Sequence, residues 1–338
     1  LTPRAAIVGI AGTSLAAEEV ALFRRWRPAG AILFRRNVET PAQVTALCDA
    51  LRQELGAEAP ILVDQEGGRV ARLRQPNWPD FPPAALFEDA PAMAAEANAT
   101  LLGLECAGIG LDVVCAPVLD LRLPGAHQVI GDRAFSEQPA EVARLGAAWV
   151  RGLQQAGCIP VVKHIPGHGR AQVDSHEALP RVTADRATLA ADLAPFRALS
   201  APDGGIGLWA MTAHILYEAL DAALPATLSP GIIGEVIRGE IGFDGVLVSD
   251  DLAMGAMAGL SGDLASAAIA AGCDLALHCT GVLAETAALL EACPALGSRA
   301  AHRMQAARDA MRAARRAMDP MVLADIRDRL LAAKPAFA

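Results

Sequence analysis

The chain has 338 residues, 53% of them hydrophobic, enough to bury one large core, and its length suits a single α/β barrel. A formal net charge of -9 leaves no basic face to offset repulsion from phosphates, which argues against a nucleic-acid partner. The opening stretch LTPRAAIVGIAGTS has no basic segment followed by a long apolar one, and no apolar run is long enough to cross a bilayer, so a soluble, cytoplasmic protein with no membrane partner is expected.

Short apolar runs alternate with helical patterns along the chain. The first two strands are expected over Ala5 to Ile10 and Gly30 to Phe34. Thr40-Pro41-Ala42-Gln43 then opens a helix as a capping box with proline at the first helical position, and Gly56 closes it. A third strand, Ile61 to Gln65, leads into a long loop from Gly67 to about Pro83, where Trp78 is expected either to pack or to stack on a sugar. Asn98-Ala99-Thr100 matches a glycosylation sequon but lies in a helical pattern, so chance accounts for it.

Further strands are expected over Leu111 to Leu119 and Ile159 to His164, before a second long loop from Ile165 to about Val182. Leu208 to His214, a helix opened by Ser229-Pro230, Gly245 to Asp250 and Asp274 to Cys279 complete the alternation. C-terminal helices are expected over about 299 to 334, with Arg312, Arg315 and Arg316 on a solvated face. Met254 and Met257 are expected in the core, and a monomer is compatible with the sequence.

The strand runs are almost continuously apolar, as strands covered on both faces of a parallel sheet must be. Eight of them, each followed by helical sequence, predict one closed (β/α)8 TIM-type barrel over residues 1–338. The competing architecture, an open doubly wound sheet, would bring a GxGxxG or GxxxxGK[ST] signature, and neither is present. Cys48, Cys106, Cys115, Cys158, Cys273, Cys279 and Cys293 are odd in number and form no CxxC pair, so buried free thiols are expected.

Polar residues fall at the C-terminal ends of the strands: Asp64, Asp120, Lys163 with His164, His214, Asp250 with Asp251, and His278. In a barrel these ends meet at one mouth, where the active site forms. One aspartate alone would read as a turn cap, but capping does not explain the whole set. KHIPGHGRAQVDSHEALP, from Lys163 to Pro180, adds three histidines and an aspartate.

Three chemistries fit these residue types. His164, His168, Asp174 and His176 could ligate zinc in a metal-dependent hydrolase, although no HxH or HExxH supplies a rigid pair. Lys163 could form a Schiff base, but Asp64 and Asp250 would keep it charged. Glycoside hydrolysis needs a fixed carboxylate, for which Asp250 is suited, and a proton donor, which His176 oriented by Asp174 could supply. A catalytically silent amino-sugar-binding barrel would need neither.

DQEGGRVARL (64–73), GDRAFSEQP (131–139), KHIPGHG with DSH (163–176) and GFDGVLVSDDLAMGA (242–256) occur in this order. Together they resemble the bacterial β-N-acetylglucosaminidases of glycoside hydrolase family three that act in peptidoglycan recycling. The resemblance implies a (β/α)8 barrel, no metal or organic cofactor, and a small-molecule sugar partner. It implies exo-type removal of non-reducing terminal N-acetylglucosamine from anhydro-N-acetylmuramic acid fragments, by a retaining mechanism. Asp250 falls where the family has its nucleophile, Asp174 and His176 where it has the acid/base dyad, and Asp64, Arg72, Arg133, Lys163 and His164 where it binds the sugar. Gln65 and Ile165 stand where histidine and phenylalanine are more usual. Gly167 and Gly169 are expected to let the loop move, His168 to hold it, and Asp251 to face away from the site.

Overall fold

The computed structural model describes residues 2–201, 203, 205–260 and 262–333. Eight parallel strands close into a barrel: β1 (Arg4–Gly9), β2 (Pro28–Leu33), β3 (Ile61–Val63), β4 (Val113–Val114), β5 (Ile159–Ile165), β7 (Trp209–Thr212), β9 (Val246–Asp251) and β10 (Leu275–His278). Closure is made by β1 against β10, with Ala6 opposite Ala276 and Val8 opposite His278. The expected (β/α)8 barrel is therefore the fold. A separate two-stranded ribbon, β6 (Arg181–Val182) with β8 (Leu216–Tyr217), ties the loop after β5 to the loop after β7.

Two hydrophobic shells follow from the two-residue period of a strand. Ile7, Ile32, Leu62, Val113, Val161, Trp209, Val248 and Leu275 fill the barrel interior. Their neighbours Val8, Leu33, Val63, Val114, Val162, Ala210, Leu247 and Ala276 pack outward under the helices. Each fully buried aliphatic side chain contributes about 1.5–3 kcal/mol of transfer free energy. Strand β4 is much shorter than the apolar run from Leu111 to Leu119 predicts: past Val114 the chain reaches Pro117, which has no N–H for the ladder, and rejoins only through a bridge from Val118 to Lys163.

The helices are α1 (Ala17–Arg25), α2 (Pro41–Leu55), α3 (Ala92–Ala107), α4 (Pro139–Ala156), α5 (Arg186–Ser200), α6 (Leu264–Ala271), α7 (Leu283–Ala292), α8 (Ser298–Ala314) and α9 (Pro320–Ala332). Helix α2 begins and ends where its sequence predicts, with Thr40 accepting from the Gln43 N–H and Gly56 following at φ 112°. The capping box is only half formed, since Gln43 Oε1 accepts from the Glu39 N–H at 2.9 Å and not from that of Thr40. Ser229 caps a segment whose body, Ile232–Glu240, is π-helical. Asn98 and Thr100 are buried in α3, which leaves no accessible sequon.

Helix α8 does more than offer a solvated face, since Met304 and Ala307 join the interior cluster and close the barrel floor. On its outer side Arg312 pairs with Glu58 at 2.5 Å, whereas Arg315 and Arg316 lie beyond its end. The expected C-terminal helical region corresponds to α8 and α9, with residue 334 outside the described residues. Six cysteines are buried and Cys279 is half-buried, all as free thiols. Among the described residues no helix is long and apolar enough to cross a membrane.

Candidate active site

The strand ends deliver a compact charged cluster to the open mouth. Leu62 points into the barrel, so Asp64 two residues on does too, and Val161 sets Lys163 inward in the same way. Lys163 Nζ lies 2.9 Å from Asp64 Oδ1 and 2.6 Å from Glu66 Oε1. Arg72 Nη2 reaches Asp64 Oδ2 at 3.0 Å, and Arg133 forks onto Glu66 at 2.8 and 2.9 Å.

Burial alone would raise both carboxyls, but the cations outweigh it. Lys163 and Arg72 hold Asp64 far below the usual carboxylate range, while Arg133 and Lys163 hold Glu66 down to about 2. Burial likewise works against the charge on Lys163, yet Asp64 and Glu66 push its pKa up. An ammonium held charged between two carboxylates is no Schiff-base nucleophile, so that reading of Lys163 is dropped, with Glu66 and not Asp250 joining Asp64 as its partner. Glu66 is the residue sequence reasoning missed. Its signal was available, because it stands two residues after Asp64 in DQEGGR and so shares its side of the chain.

His164 departs from alternation. An irregularity in register between Lys163 and Ile165 breaks the period, and both Lys163 and His164 line the cavity. Asp120, fully buried, fixes His164: its Oδ2 is 2.7 Å from Nδ1, and its Oδ1 accepts the backbone N–H groups of His164 and His168 at 3.1 and 2.6 Å. This holding role was a second omission, although Asp120 was legible as a polar strand end.

Asp250 closes the far side of the cavity. Val246 and Val248 face inward, so Asp250 does as well; Asp251, expected to face away, also borders the cavity, with its carboxylate accepting the Ala253 and Cys279 N–H groups at 3.1 and 3.0 Å. The backbone of this pair sits in a ring of hydrogen bonds. The Asp250 N–H donates to Thr212 Oγ1 at 3.4 Å, Thr212 meets Thr227 at 2.8 Å, and Thr227 Oγ1 lies 2.7 Å from His214 Nδ1. His214 Nε2 then donates to the Asp251 carbonyl at 3.0 Å. Burial favours the protonated form of Asp250, but His214, His164, the Asp251 N–H and Lys163 outweigh it and hold its pKa below the ordinary value. A carboxylate at this position is the form a nucleophile requires.

His176 also borders the cavity, although its side chain remains 66% exposed. Asp174 Oδ1 is 2.7 Å from His176 Nδ1 and accepts the His176 N–H at 2.9 Å. Slight burial raises Asp174, and these donors more than offset it, so its pKa is lowered. Ser175, between them, is buried and lies 3.3 Å from His168 Nε2, consistent with His168 holding the loop.

Thus Asp64, Arg72, Arg133, Lys163, His164, His176 and Asp250 line one cavity, with Asp174 bonded to His176 behind it. Met254 also lines it, and Met257 is buried. Trp78 packs in the core under its loop, which excludes sugar stacking there. His278 faces outward and bonds Thr280 at 3.0 Å. Gly167 has φ 138°, and a Cβ on Gly169 would lie 2.4 Å from the Leu121 carbonyl, so close packing demands both glycines. His164, His168, Asp174 and His176 do not gather as a ligand set: the first pairs with Asp120, the second with Ser175, and the last two with each other. Among the described residues no three metal-ligating side chains form a group that could hold an ion.

The profile described as "Glycosyl hydrolase family 3 N terminal domain" matches residues 8–313. A protein named β-hexosaminidase from Alkalilimnicola ehrlichii is 45% identical over 284 residues, covering 81% of this chain and 80% of that one. One of the same name from Pseudomonas aeruginosa is 42% identical over 282 residues, with 81% of each covered. The crystal structure of NagZ from Neisseria gonorrhoeae in complex with N-trifluoroacetyl-D-glucosamine superposes with a TM-score of 0.84 at 31% identity, over 98% of this chain and 99% of that one. With the profile spanning the barrel and these relatives aligned across most of their length, the chain belongs to glycosyl hydrolase family 3 and is a glycoside hydrolase.

Proposed function

We propose that the protein is an exo-acting, retaining β-N-acetylglucosaminidase that removes non-reducing terminal N-acetylglucosamine from peptidoglycan fragments ending in anhydro-N-acetylmuramic acid. The observation that carries it is the placement of the inward carboxylate Asp250 and the Asp174-paired His176 around one cavity lined by Asp64, Arg72, Arg133, Lys163 and His164. The names of the relatives support the amino-sugar preference. The whole chain acts as one catalytic barrel domain, on a small-molecule sugar, in the cytoplasm.

Asp64 and Glu66 accept from sugar hydroxyls while Lys163, Arg72 and Arg133 donate, and the cost of orienting the ring is met by binding. Protonated His176 gives its proton to the departing oxygen as Asp250 attacks the anomeric carbon, forming a glycosyl-aspartate. Neutral His176 then takes a proton from water, which attacks the same carbon and frees Asp250. Asp174 stabilises the imidazolium before the first proton transfer and after the second, so one ring serves as acid and then as base.

The test is nitrophenol release from an aryl N-acetyl-β-glucosaminide by the purified protein, with and without a chelator and beside Asp250→Ala, followed by the disaccharide fragment itself. Chelator-resistant turnover that the variant loses is expected. Affinity for amino sugars with no turnover on any substrate would replace this reading with a silent binding barrel, and chelator-sensitive turnover would restore a metal-dependent one.

A further inference from the structure

The loop that carries His176 is anchored at very few points. Across residues 172–178 only Ser175 is buried, and its hydroxyl meets His168 Nε2 at 3.3 Å. Among the described residues, its other backbone attachment is to the turn after β9. The Gly255 N–H donates to the His176 carbonyl at 3.2 Å, and the Ala256 N–H donates to the Ser175 carbonyl at 2.9 Å.

That seat exists only because residue 255 has no side chain. A Cβ there would lie 2.4 Å from the His176 carbonyl oxygen and 2.8 Å from that of Glu177, closer than real side chains approach backbone oxygens. The backbone of Gly255 itself does not demand glycine, since its φ is not positive. The seat is also fixed relative to Asp250, only five residues earlier. Between them the Leu252 N–H donates to the Leu277 carbonyl at 3.0 Å, the Met254 N–H donates to the Asp251 carbonyl at 3.1 Å, and the Asp251 carboxylate holds the Ala253 and Cys279 amides.

Resting on the reading of His176 as acid/base, we propose that the Gly255–Ala256 backbone is the docking seat of the catalytic loop and Ser175 its peg. Gly255 and Ser175 are then positioning residues that set where His176 delivers its proton relative to Asp250. Neither touches the reacting atoms. Proton delivery matters most when the leaving group is poor, so damage to the seat should appear selectively there.

The experiment compares kcat/KM, which reports the first chemical step, for a dinitrophenyl and an alkyl N-acetyl-β-glucosaminide in the wild type, Gly255→Ala, Ser175→Ala and His176→Ala. Gly255→Ala is expected to lose on the order of ten- to a hundredfold on the alkyl substrate and less than about threefold on the dinitrophenyl one, with Ser175→Ala following the same pattern more weakly. Trypsin should also cut the folded Gly255→Ala protein faster after Arg170 or Arg181, which flank the loop. If His176→Ala shows the leaving-group dependence but Gly255→Ala and Ser175→Ala lower both substrates equally, or neither, the docking proposal is overturned and the acid/base reading stands. If His176→Ala itself lacks that dependence, the acid/base reading falls and the proposal falls with it.

Discussion

His176 Nδ1 lies 2.7 Å from Asp174 Oδ1, and the same oxygen accepts the His176 backbone N–H. The carboxylate therefore fixes both the ring and the peptide that carries it, using a spacing of two residues that no other part of the fold has to supply. Because Nδ1 faces the Asp174 carboxylate, Nε2 is the nitrogen that the proposed acid/base role of His176 would use.

Asp174→Asn keeps a similar shape but removes the charge that stabilises the imidazolium. We expect kcat/KM on poor leaving groups to fall by about ten- to a hundredfold while activated aryl substrates lose much less. Equal losses on both would show that Asp174 supports the fold of the loop rather than the proton.

Asp250→Ala should abolish turnover, on the order of 10⁴-fold or more, and a slow-turnover fluorinated substrate should add its glycosyl mass to the peptide carrying Asp250. Since His214, His164, the Asp251 amide and Lys163 hold this carboxyl below its ordinary value against burial, Asp250 stays ionised through mild acid. With a dinitrophenyl substrate, kcat/KM should stay flat from about pH 7 to pH 5. Label on Asp251 instead would reverse the assignment made from strand parity.

Glu66 is shared between Lys163 and Arg133, and all three side chains are largely buried. Glu66→Ala leaves two buried cations short of their carboxylate, and should cost about 3–5 kcal/mol of stability. Thermal denaturation checks this. A melting temperature within a degree or so of wild type would mean that Asp64 and solvent satisfy both cations.

His168 sets the fourth expectation. Burial, reinforced by His164 and opposed by Asp120 and Asp250, holds its folded pKa at about 4, below the 6.5 of a free histidine. Between those values the unfolded chain binds the proton that the folded protein refuses, so stability falls as pH drops from 6.5 towards 4. His168→Gln should remove part of that slope in urea titrations at a series of pH values. An unchanged slope would place the sensitivity at another buried histidine such as His214, whose pKa burial also lowers.

How far the site could be read in advance depended on the kind of residue. The apolar runs and the parity of their last residues suffice for Asp64, Lys163 and Asp250 facing in, because side chains of a regular strand alternate, whereas His164 and Asp251, which also border the cavity, do not follow that parity. The same rule, applied to Leu275 and Leu277 inside the barrel, turns His278 away from the mouth. The Asp174–His176 pair was legible because its geometry is local.

Other features had no local cause. Glu66 bonds residues 67 and 97 positions away, and Asp120 holds His164 across 44. Helix α8 reads as a charged surface helix until the barrel floor is closed by Met304 and Ala307. Gly255 reads as one more turn glycine until the carbonyls of His176 and Glu177 fill the space beside it. The sequence by itself determined the strands, their inward faces and the chemical groups at the mouth, since those follow from backbone periodicity. Only the tertiary structure decided which ions pair, what seals the barrel and where His176 comes to rest. Those contacts join segments far apart in the chain, and the closing of the barrel sets their distances.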